Sequence, residues 1–323
     1  MHTSTAPLAA ARRRSGAGLW FLIISGTLWS TGGVTGTLLR QDTGLSPTAV
    51  AGYRLAVGGA LIVGLLAVAG RRPPRGRAAW RRIAWYAVLA AVYQACYFGA
   101  VSLTSVSLAT LVTIGAAPML VLAVEAVTGR RRPDRSTAAT CALAVGGLVA
   151  LVGLPAGGFG PLAVLSSTLL ALVSAAGFAA ITLLGARPVS GLDDLAGVGY
   201  AFTVGGLLLV PVAAGTGGLG FDPAPAALGL LVALGTGPTA LAYLLYFRGL
   251  RTVRPGTAAL LALLEPLVGA VLAALLLGDR LGPVGVCGAV LLGVAVARAA
   301  RPSRAGLAAD PAQLRGRASV GPA

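Results

Sequence analysis

The sequence predicts an all-α integral membrane protein with ten transmembrane helices, arranged as two inverted five-helix repeats. Three observations lead to this fold class: an apolar composition, ten apolar stretches of membrane-spanning length, and an internal repeat. Of the 323 residues, 56% are hydrophobic and only 11% are charged. So few charged residues cannot cover the surface of a globular protein in water, and this excludes the soluble classes.

Ten apolar stretches recur along the chain, separated by polar or proline- and glycine-rich breaks. Each is close to the ~20 residues that an α-helix needs to cross ~30 Å of hydrocarbon. The first follows an arginine run, as a secretory signal does, but it is long enough to span a bilayer and has no small-residue cleavage site, so we expect a retained helix. The predicted spans are residues 19–39, 48–69, 82–102, 108–128, 136–153, 162–185, 194–214, 226–247, 257–277 and 282–298.

The basic residues indicate the topology of these spans. All 25 are arginines, the formal net charge is +16, and they lie between the apolar stretches. This placement is typical of membrane topology and not of nucleic-acid binding. With the N-terminus inside, 22 arginines fall in cytoplasmic segments, Arg40 and Arg280 fall outside, and Arg54 lies within a span. The asymmetry predicts a multi-pass protein of the bacterial inner (cell) membrane with both termini cytoplasmic.

The residues that carry most metal and cofactor chemistry are scarce. Cys96, Cys141 and Cys287 lie far apart within apolar stretches, and His2 is the single histidine, so neither a metal site nor a disulfide framework is expected. No cofactor is predicted. The acidic pair at residues 193–194 resembles part of a prenyltransferase site but lacks the second acidic cluster, so an enzyme is not expected. The tail from residue 299 has no apolar periodicity and is expected to be disordered.

An internal repeat divides the spans into two halves. Tyr53-x-x-x-Val57-Gly58-Gly59 recurs 147 positions later, Tyr97-Phe98 recurs 149 positions later, and Pro118 matches Pro266. Because five spans are an odd number, the second half enters the membrane from the opposite side, and such inverted repeats place transport sites between them at the midplane. The predicted organisation is a cytoplasmic N-terminal tail (1–18), a first repeat (19–153), a second repeat (162–298) and a cytoplasmic tail (299–323).

These motifs resemble the EamA-type branch of the drug/metabolite transporter superfamily, over about residues 17 to 298. In the first half, Gly129 to Pro133 stands where the family's exit motif has an acid, and Asp279 stands where the second motif usually has Glu. The resemblance implies a secondary carrier of small metabolites, many of which are exporters, and does not fix the substrate. The motifs that carry it are Ser107 to Thr110, Ala117 to Leu120, Gly256 to Ala258, Glu265 to Leu267, Leu277 to Arg280, and Gly285 to Gly293.

Glu265 is the candidate for proton coupling. It lies about eight residues into the ninth span, ~12 Å deep by the helical rise, and immediately precedes Pro266. Ionisable groups at this depth are costly and are functional candidates, because a carboxyl here can bind and release a proton in each transport cycle. The alternative is a buried Glu that only bonds to a neighbouring helix.

Arg54 is a candidate for binding a substrate anion or carboxylate. It lies about seven residues into the second span, ~10 Å deep. Its side chain can extend to the interface or turn inward to a partner. The resemblance implies the inward orientation, because the family often has Arg at this place. Its expected depth differs from that of Glu265 by ~8 Å, so a direct ion pair is possible but not required.

Pro118 and Pro266 are expected to break the fourth and ninth helices at a central cavity. A proline has no N–H to donate, so the carbonyls of Ile114 and Ala262 lose their helical partners and become available to a ligand. The alternative is a simple kink compensated by a hydroxyl, that of Thr110 or Thr113.

Further substrate-binding residues are expected among the few polar and aromatic side chains within the spans. Aromatic rings beside an amide suit an amphipathic or cationic ligand, through stacking or cation–π contact, although each ring taken singly also fits a packing role. The candidates are Trp29, Tyr93, Gln94, Tyr97, Tyr243 and Tyr246.

Together these features predict a secondary active transporter that exports a small organic metabolite or drug, by proton antiport through Glu265. One alternative is a proton-independent organic-anion exchanger that uses Arg54, and another is a non-transporting membrane receptor or regulatory protein. A lipid flippase also fits the apolar lining. The expected partners are the substrate, the lipid bilayer and protons, and no pattern indicates an oligomeric state.

Overall fold

A computed structural model describes residues 6–130, 134–153, 158–276 and 282–301. Within these ranges, ten helices are long and apolar enough to cross a membrane. They match the ten predicted spans to within a few residues at most ends. The elements are α1 (Ala6–Thr43), α2 (Pro47–Val68), α3 (Arg77–Leu103), α4 (Val106–Val127), α5 (Arg135–Val152), α6 (Pro161–Gly185), α7 (Asp194–Thr216), α8 (Pro225–Gly235), a π-helical segment (Thr236–Leu241), α9 (Ala242–Leu250), α10 (Pro255–Leu261), α11 (Leu264–Leu276) and α12 (Pro283–Ala300).

Side-chain caps fix where several spans begin. The hydroxyl of Ser46 accepts from the N–H of Ala49 at the start of α2, and the carboxylate of Asp193 accepts from the N–H of Ala196 at the start of α7. Each of these caps satisfies one of the N–H groups that a helix start leaves without an internal partner. The exit motif at residues 277–280, residues 131–133 and the tail beyond residue 301 lie outside the described residues.

Two hydrogen bonds relate the repeats by an approximate two-fold axis. The hydroxyl of Ser25 on α1 donates to the carbonyl of Ala242 on α9 at 2.8 Å. The hydroxyl of Ser174 on α6 donates to the carbonyl of Tyr93 on α3 at 2.9 Å. Both partners of the second bond lie 149 positions from their counterparts in the first. In a two-fold arrangement, a contact from the first repeat to the second has an equivalent contact from the second repeat to the first. The two hydrogen bonds are such a pair, so the sequence repeat is also a spatial repeat.

Glycines let the equivalent helices α2 and α7 pack at close range. A β-carbon on Gly59 would collide with the backbone of Thr203, and one on Gly206 would collide with the backbone of Ala56. The two contacts are equivalent, because Gly206 lies 147 positions after Gly59 and Thr203 lies 147 positions after Ala56. Small residues allow this approach of membrane helices, whose association depends on close packing.

The same relation joins α5 to α12, with a different offset. A β-carbon on Gly147 would meet the backbone of Leu292, and one on Gly288 would meet that of Leu151. Here the equivalent residues are 141 positions apart. The second repeat is therefore shorter than the first, between its fourth and fifth spans.

The first helix of each repeat packs against helices of the other repeat. Helix α1 packs on α8, α9 and α11, whereas α6 packs on α3 and α4. Two bundles result, and each contains helices of both repeats. Bundle one consists of α1, α2 and α8 to α11; bundle two consists of α3, α4, α6 and α7. Helix α2 packs along α7 and so joins the two bundles, and α5 packs on α12.

Only the second repeat contains helix irregularities among the described residues. The eighth span, predicted as one continuous helix, contains a π-helical segment around Pro238. Pro238 cannot donate to the carbonyl of Leu234, and the hydroxyl of Thr239 donates to that carbonyl instead, at 2.8 Å. The ninth span is interrupted between α10 and α11. Their counterparts α3 and α4 are continuous.

The predicted break at Pro118 is wrong, because α4 continues as a helix from Val106 to Val127 with this proline inside it. A proline removes one hydrogen bond, and a membrane helix tolerates this loss where neighbouring groups accommodate it. In the ninth span the interruption lies just before Glu265, whose N–H donates to the carbonyl of Ala262 at 3.0 Å. That carbonyl is therefore not left without a partner, in contrast to the expectation.

Apart from the α2–α7 contact, the bundles meet at one end of the molecule, which we call the basic end because Arg71, Arg82 and Arg251 lie there. At this end α10 packs on α4 and α6, and α9 packs on α6 and α7. The outer half of the ninth span, α11, packs on α1, α5 and α12 instead. The space between the bundles is therefore closed at the basic end.

Candidate functional site

A small, partly open cavity lies between the two bundles. Helices α3, α4 and α6 line one side, and the ninth span lines the other, on either side of its interruption. This is the predicted position between inverted repeats. Its lining residues are Tyr93, Thr113, Ile114, Ala117, Pro118, Phe178, Ala259, Ala262 and Glu265.

Glu265 contributes the acidic group of this lining. It lies in the first turn of α11, where the helix dipole favours a negative charge. Its backbone is held on both sides: the hydroxyl of Ser30 donates to its carbonyl at 2.9 Å, and its N–H donates to Ala262. The interrupted span therefore positions one carboxyl against the cavity.

Arg54 on α2 provides the nearby positive charge. Its positive charge interacts electrostatically with the ionisable groups of Glu265, Tyr93, Tyr97 and Tyr243. Within the described chain, the ion pairs that are seen do not join Arg54 to Glu265. The Nε atom of Arg54 is buried and has no hydrogen-bond partner. The guanidinium therefore retains a free donor near the carboxyl.

Aromatic rings from both repeats form a cluster next to the cavity. The ring centroid of Trp29 lies 5.0 Å from those of Tyr243 and Tyr246, and 5.9 Å from that of Phe178. Phe178 in turn lies 5.9 Å from Tyr93. Trp29 is only 8% exposed, and its indole Nε1 has no hydrogen-bond partner. Four of the predicted aromatic residues are thus brought together, and of these Tyr93 lines the cavity.

Tyr97 and Gln94 lie on α3 outside the described cavity lining. The hydroxyl of Tyr97 is 2.8 Å from that of Thr110 on α4. Gln94 is 3% exposed. Both stay predictions as substrate-binding residues.

Pro118 and Ile114 both line the cavity, on a helix that does not break. The hydroxyls expected to compensate for the proline have other partners. That of Thr113 donates to the carbonyl of Ala171 on α6 at 3.2 Å, and that of Thr110 pairs with Tyr97. Pro118 is therefore a lining residue, and its role in exposing a carbonyl stays a prediction.

Phe178 and Thr113 were not among the residues predicted for the site. Both lie on helices that are apolar on all faces, so periodicity does not indicate an inner face. A signal for Phe178 was present nevertheless. It lies 149 positions after Trp29, which is the offset that relates Tyr97 to Tyr246.

Comparisons with known proteins agree with this architecture. The model of the EamA-like transporter family matches residues 16–153 and again residues 165–299. The chain is 29% identical, over 279 residues, to the uncharacterized transporter YwfM of Bacillus subtilis (strain 168), a match that covers 84% of this chain and 90% of that protein. A protein of known crystal structure superimposes with a TM-score of 0.74 at 19% identity, covering 88% of this chain and 96% of that one, which is a likeness of fold. With the family model matched once in each repeat, this chain belongs to the EamA-like transporter family, as a multi-pass membrane transporter of small substrates and not an enzyme.

Proposed function

We propose that this transporter exports a small organic metabolite or drug by alternating access, with Glu265 exchanging protons against the substrate. The observation that carries the proposal is the position of Glu265, which lies in the cavity between the two bundles and is anchored through its backbone by Ser30. Inverted repeats bind their substrates at this kind of interface.

The charges of the site suggest how a proton and a substrate exclude one another. Glu265 brings one negative charge to the cavity. Arg54 on α2 interacts electrostatically with this carboxyl without forming a direct ion pair. A protonated carboxyl cannot attract a cation, whereas an ionised one can. A positively charged or polar substrate and a proton therefore compete for Glu265, and this competition is the basis of antiport.

The aromatic cluster and the lining of the cavity fit a small organic substrate. This lining is mostly apolar and aromatic, with Glu265 and Thr113 as the polar side chains, which is the usual composition of a small-molecule site. Tyr93 and Phe178 line the cavity. Rings of this kind bind apolar groups and, through their electron-rich faces, organic cations. The lining thus suits an amphipathic or cationic molecule.

Proton-independent exchange of organic anions is a second candidate. Two buried donors near the site, Arg54 Nε and Trp29 Nε1, have no hydrogen-bond partner. Buried donors without partners are costly, and a substrate carboxylate would satisfy them.

We also propose that the basic end faces the cytoplasm of a bacterial cell, with both termini on that side of the inner membrane. The 22 arginines of the predicted inside segments support this orientation. Reporter fusions after residue 43 and after residue 187 test it. A reporter that is active only in the cytoplasm should function at the second position and not at the first, and the reverse pattern overturns the orientation.

Transport by purified protein in liposomes with an internal pH dye tests the proton mechanism. We expect a panel of amines, amino acids and organic anions to include a solute that moves protons with wild type but not with Glu265→Gln. The matched control is Glu125→Gln, since Glu125 is another buried acid that lies on α4 near the basic end, outside the cavity lining. Labelled solute that moves without protons, equally in wild type and Glu265→Gln, overturns antiport. Loss of that flux in Arg54→Met then favours anion exchange.

A further inference from the structure

Two ion pairs join the start of α7 to bundle one at the basic end. Arg71, just after α2, places Nη2 2.7 Å from a carboxylate oxygen of Asp193. Arg251, just after α9, pairs with the carboxylate of Asp194, to which its Nε also donates at 3.3 Å. Asp193 and Asp194 belong to bundle two. Both pairs therefore cross between the bundles at the basic end, and a pair that joins parts that move apart must break when this end opens.

The inverted repeat shows which of the two pairs changes when the transporter switches. In such a protein the opposite state is expected to exchange the arrangements of the two ends. A contact present at both ends therefore persists through the cycle. A contact present at one end, and missing between the counterpart residues at the other, is formed in one state only.

The Arg71–Asp193 pair has a counterpart at the opposite end. The equivalent positions, 147 residues away, are Gly218 and Ser46. The N–H of Ser46 donates to the carbonyl of Gly218 at 3.2 Å. The ends of α2 and α7 are thus joined on both sides of the molecule, by a charged contact at one end and a backbone bond at the other. This pair belongs to the permanent α2–α7 interface.

The Arg251–Asp194 pair has no such counterpart. The position equivalent to Arg251 is Ser102, 149 residues earlier, and the position equivalent to Asp194 is Pro47, 147 residues earlier. The hydroxyl of Ser102 donates to the carbonyl of Gly99 in its own helix at 2.8 Å, and the side chain of Pro47 offers no polar atom. The ion pair is therefore specific to the closed basic end.

A packing contact beside this ion pair shows the same asymmetry. A β-carbon on Gly185 of α6 would lie 2.7 Å from the ring of Phe247 on α9. The counterparts, 149 positions earlier, are Gly36 and Phe98. A β-carbon on Gly36 would have only a Val50 methyl carbon within 4 Å, at 3.9 Å. Helices α6 and α9 thus touch at the basic end, while α1 and α3 are apart at the other.

We propose that Asp194 is the gate residue of the basic end, and that its ion pair with Arg251 holds the resting transporter closed there and open on the opposite side. Asp194 is a positioning residue: it acts on the substrate site through α7 and α9. The pair is partly exposed, with side chains 30% and 18% accessible. Partly exposed pairs are weak, so this one can break in each cycle. The inference rests on the proposed alternating access and does not depend on proton coupling.

Spin-label distances across the basic end test the gate. The labels go on Ser190→Cys, in the loop between α6 and α7, and on Arg254→Cys, between α9 and α10, in protein with Cys96, Cys141 and Cys287 changed to alanine. Both label sites are exposed. In liposomes we expect Asp194→Asn to increase the population with a long inter-label distance by about 1.5- to 5-fold, the size expected for one partly exposed ion pair.

Asp193→Asn is the matched control, because it removes the neighbouring ion pair while asparagine still caps α7. Its distance distribution should equal that of wild type. The double variant Asp194→Arg with Arg251→Asp should restore the short distance. An unchanged distribution in Asp194→Asn, or equal changes in both asparagine variants, overturns the proposal. The distances are independent of proton movement, so a failure of coupling at Glu265 leaves this result interpretable.

Discussion

Trp29 and Phe178 pack with ring centroids 5.9 Å apart, and they occupy equivalent positions of the two repeats, 149 residues from each other. Residues related by a two-fold axis can touch only near that axis, so this ring pair marks the centre of the molecule. The two repeats contribute different rings. Only the first supplies an indole N–H, which has no partner. At the centre of an otherwise symmetric scaffold, the first repeat therefore contributes a hydrogen-bond donor that the second repeat does not.

Trp29→Phe tests this indole donor. The variant keeps an aromatic ring between Tyr243 and Tyr246 but removes Nε1–H. If substrate accepts from this donor, we expect KM for the transported solute to rise about 5- to 30-fold with little change in the maximal rate, because a lost hydrogen bond costs about 1–2 kcal/mol. Trp85→Phe, on an exposed face of α3, is the control and should leave KM unchanged. An unaltered KM in Trp29→Phe assigns the indole to packing.

Ser30→Ala tests the anchoring of Glu265. The hydroxyl of Ser30 donates to the backbone carbonyl of Glu265 at 2.9 Å. Its loss should reduce the free energy of unfolding by about 1 kcal/mol and lower substrate-driven proton flux, since the carboxyl is less well positioned. Thr27→Ala is matched to it, because the hydroxyl of Thr27 bonds only to Ile23 in its own helix. Equal proton flux in the two variants would count against a positioning role for Ser30.

Gly59→Ala should destabilise the α2–α7 interface. A β-carbon here collides with the backbone of Thr203, which cannot move without shifting α7. We expect a loss of about 1–3 kcal/mol and a lower Tm, measured by thermal unfolding in detergent. Gly64→Ala, on the same helix but with no atom within 4 Å of the new carbon, should be neutral or slightly stabilising. Similar Tm values for the two variants would contradict the close packing.

Thr239→Val tests the π-helical segment. It removes the hydroxyl that donates to the carbonyl of Leu234, so a buried acceptor loses its partner at a cost of about 1–3 kcal/mol. Pro238→Ala supplies a backbone N–H that can donate to the same carbonyl. The double variant should therefore be more stable than Thr239→Val alone, as measured by thermal unfolding. Strictly additive effects would show that the two residues do not share this acceptor.

The ten spans and the repeat could be predicted because the bilayer fixes helix length and the arginines report topology. Glu265 and Tyr93 could be placed at the site, since polar groups in hydrocarbon are few. The break at Pro118 could not be decided from sequence, because whether a proline interrupts a helix depends on its neighbours. The exchange of α1 and α6 between bundles also depends on tertiary packing, which spans that are apolar on all faces do not encode in their periodicity.

The exchange of α1 has a consequence for how the protein is made. The hydroxyl of Ser25 bonds to Ala242, which lies 217 residues later in the chain. The first helix to leave the ribosome therefore lacks its packing partners until the eighth and ninth spans have been synthesised. Neither half can complete its own bundle, so two fragments split between residues 153 and 162 should each be degraded alone and should assemble into a stable protein only when they are produced together.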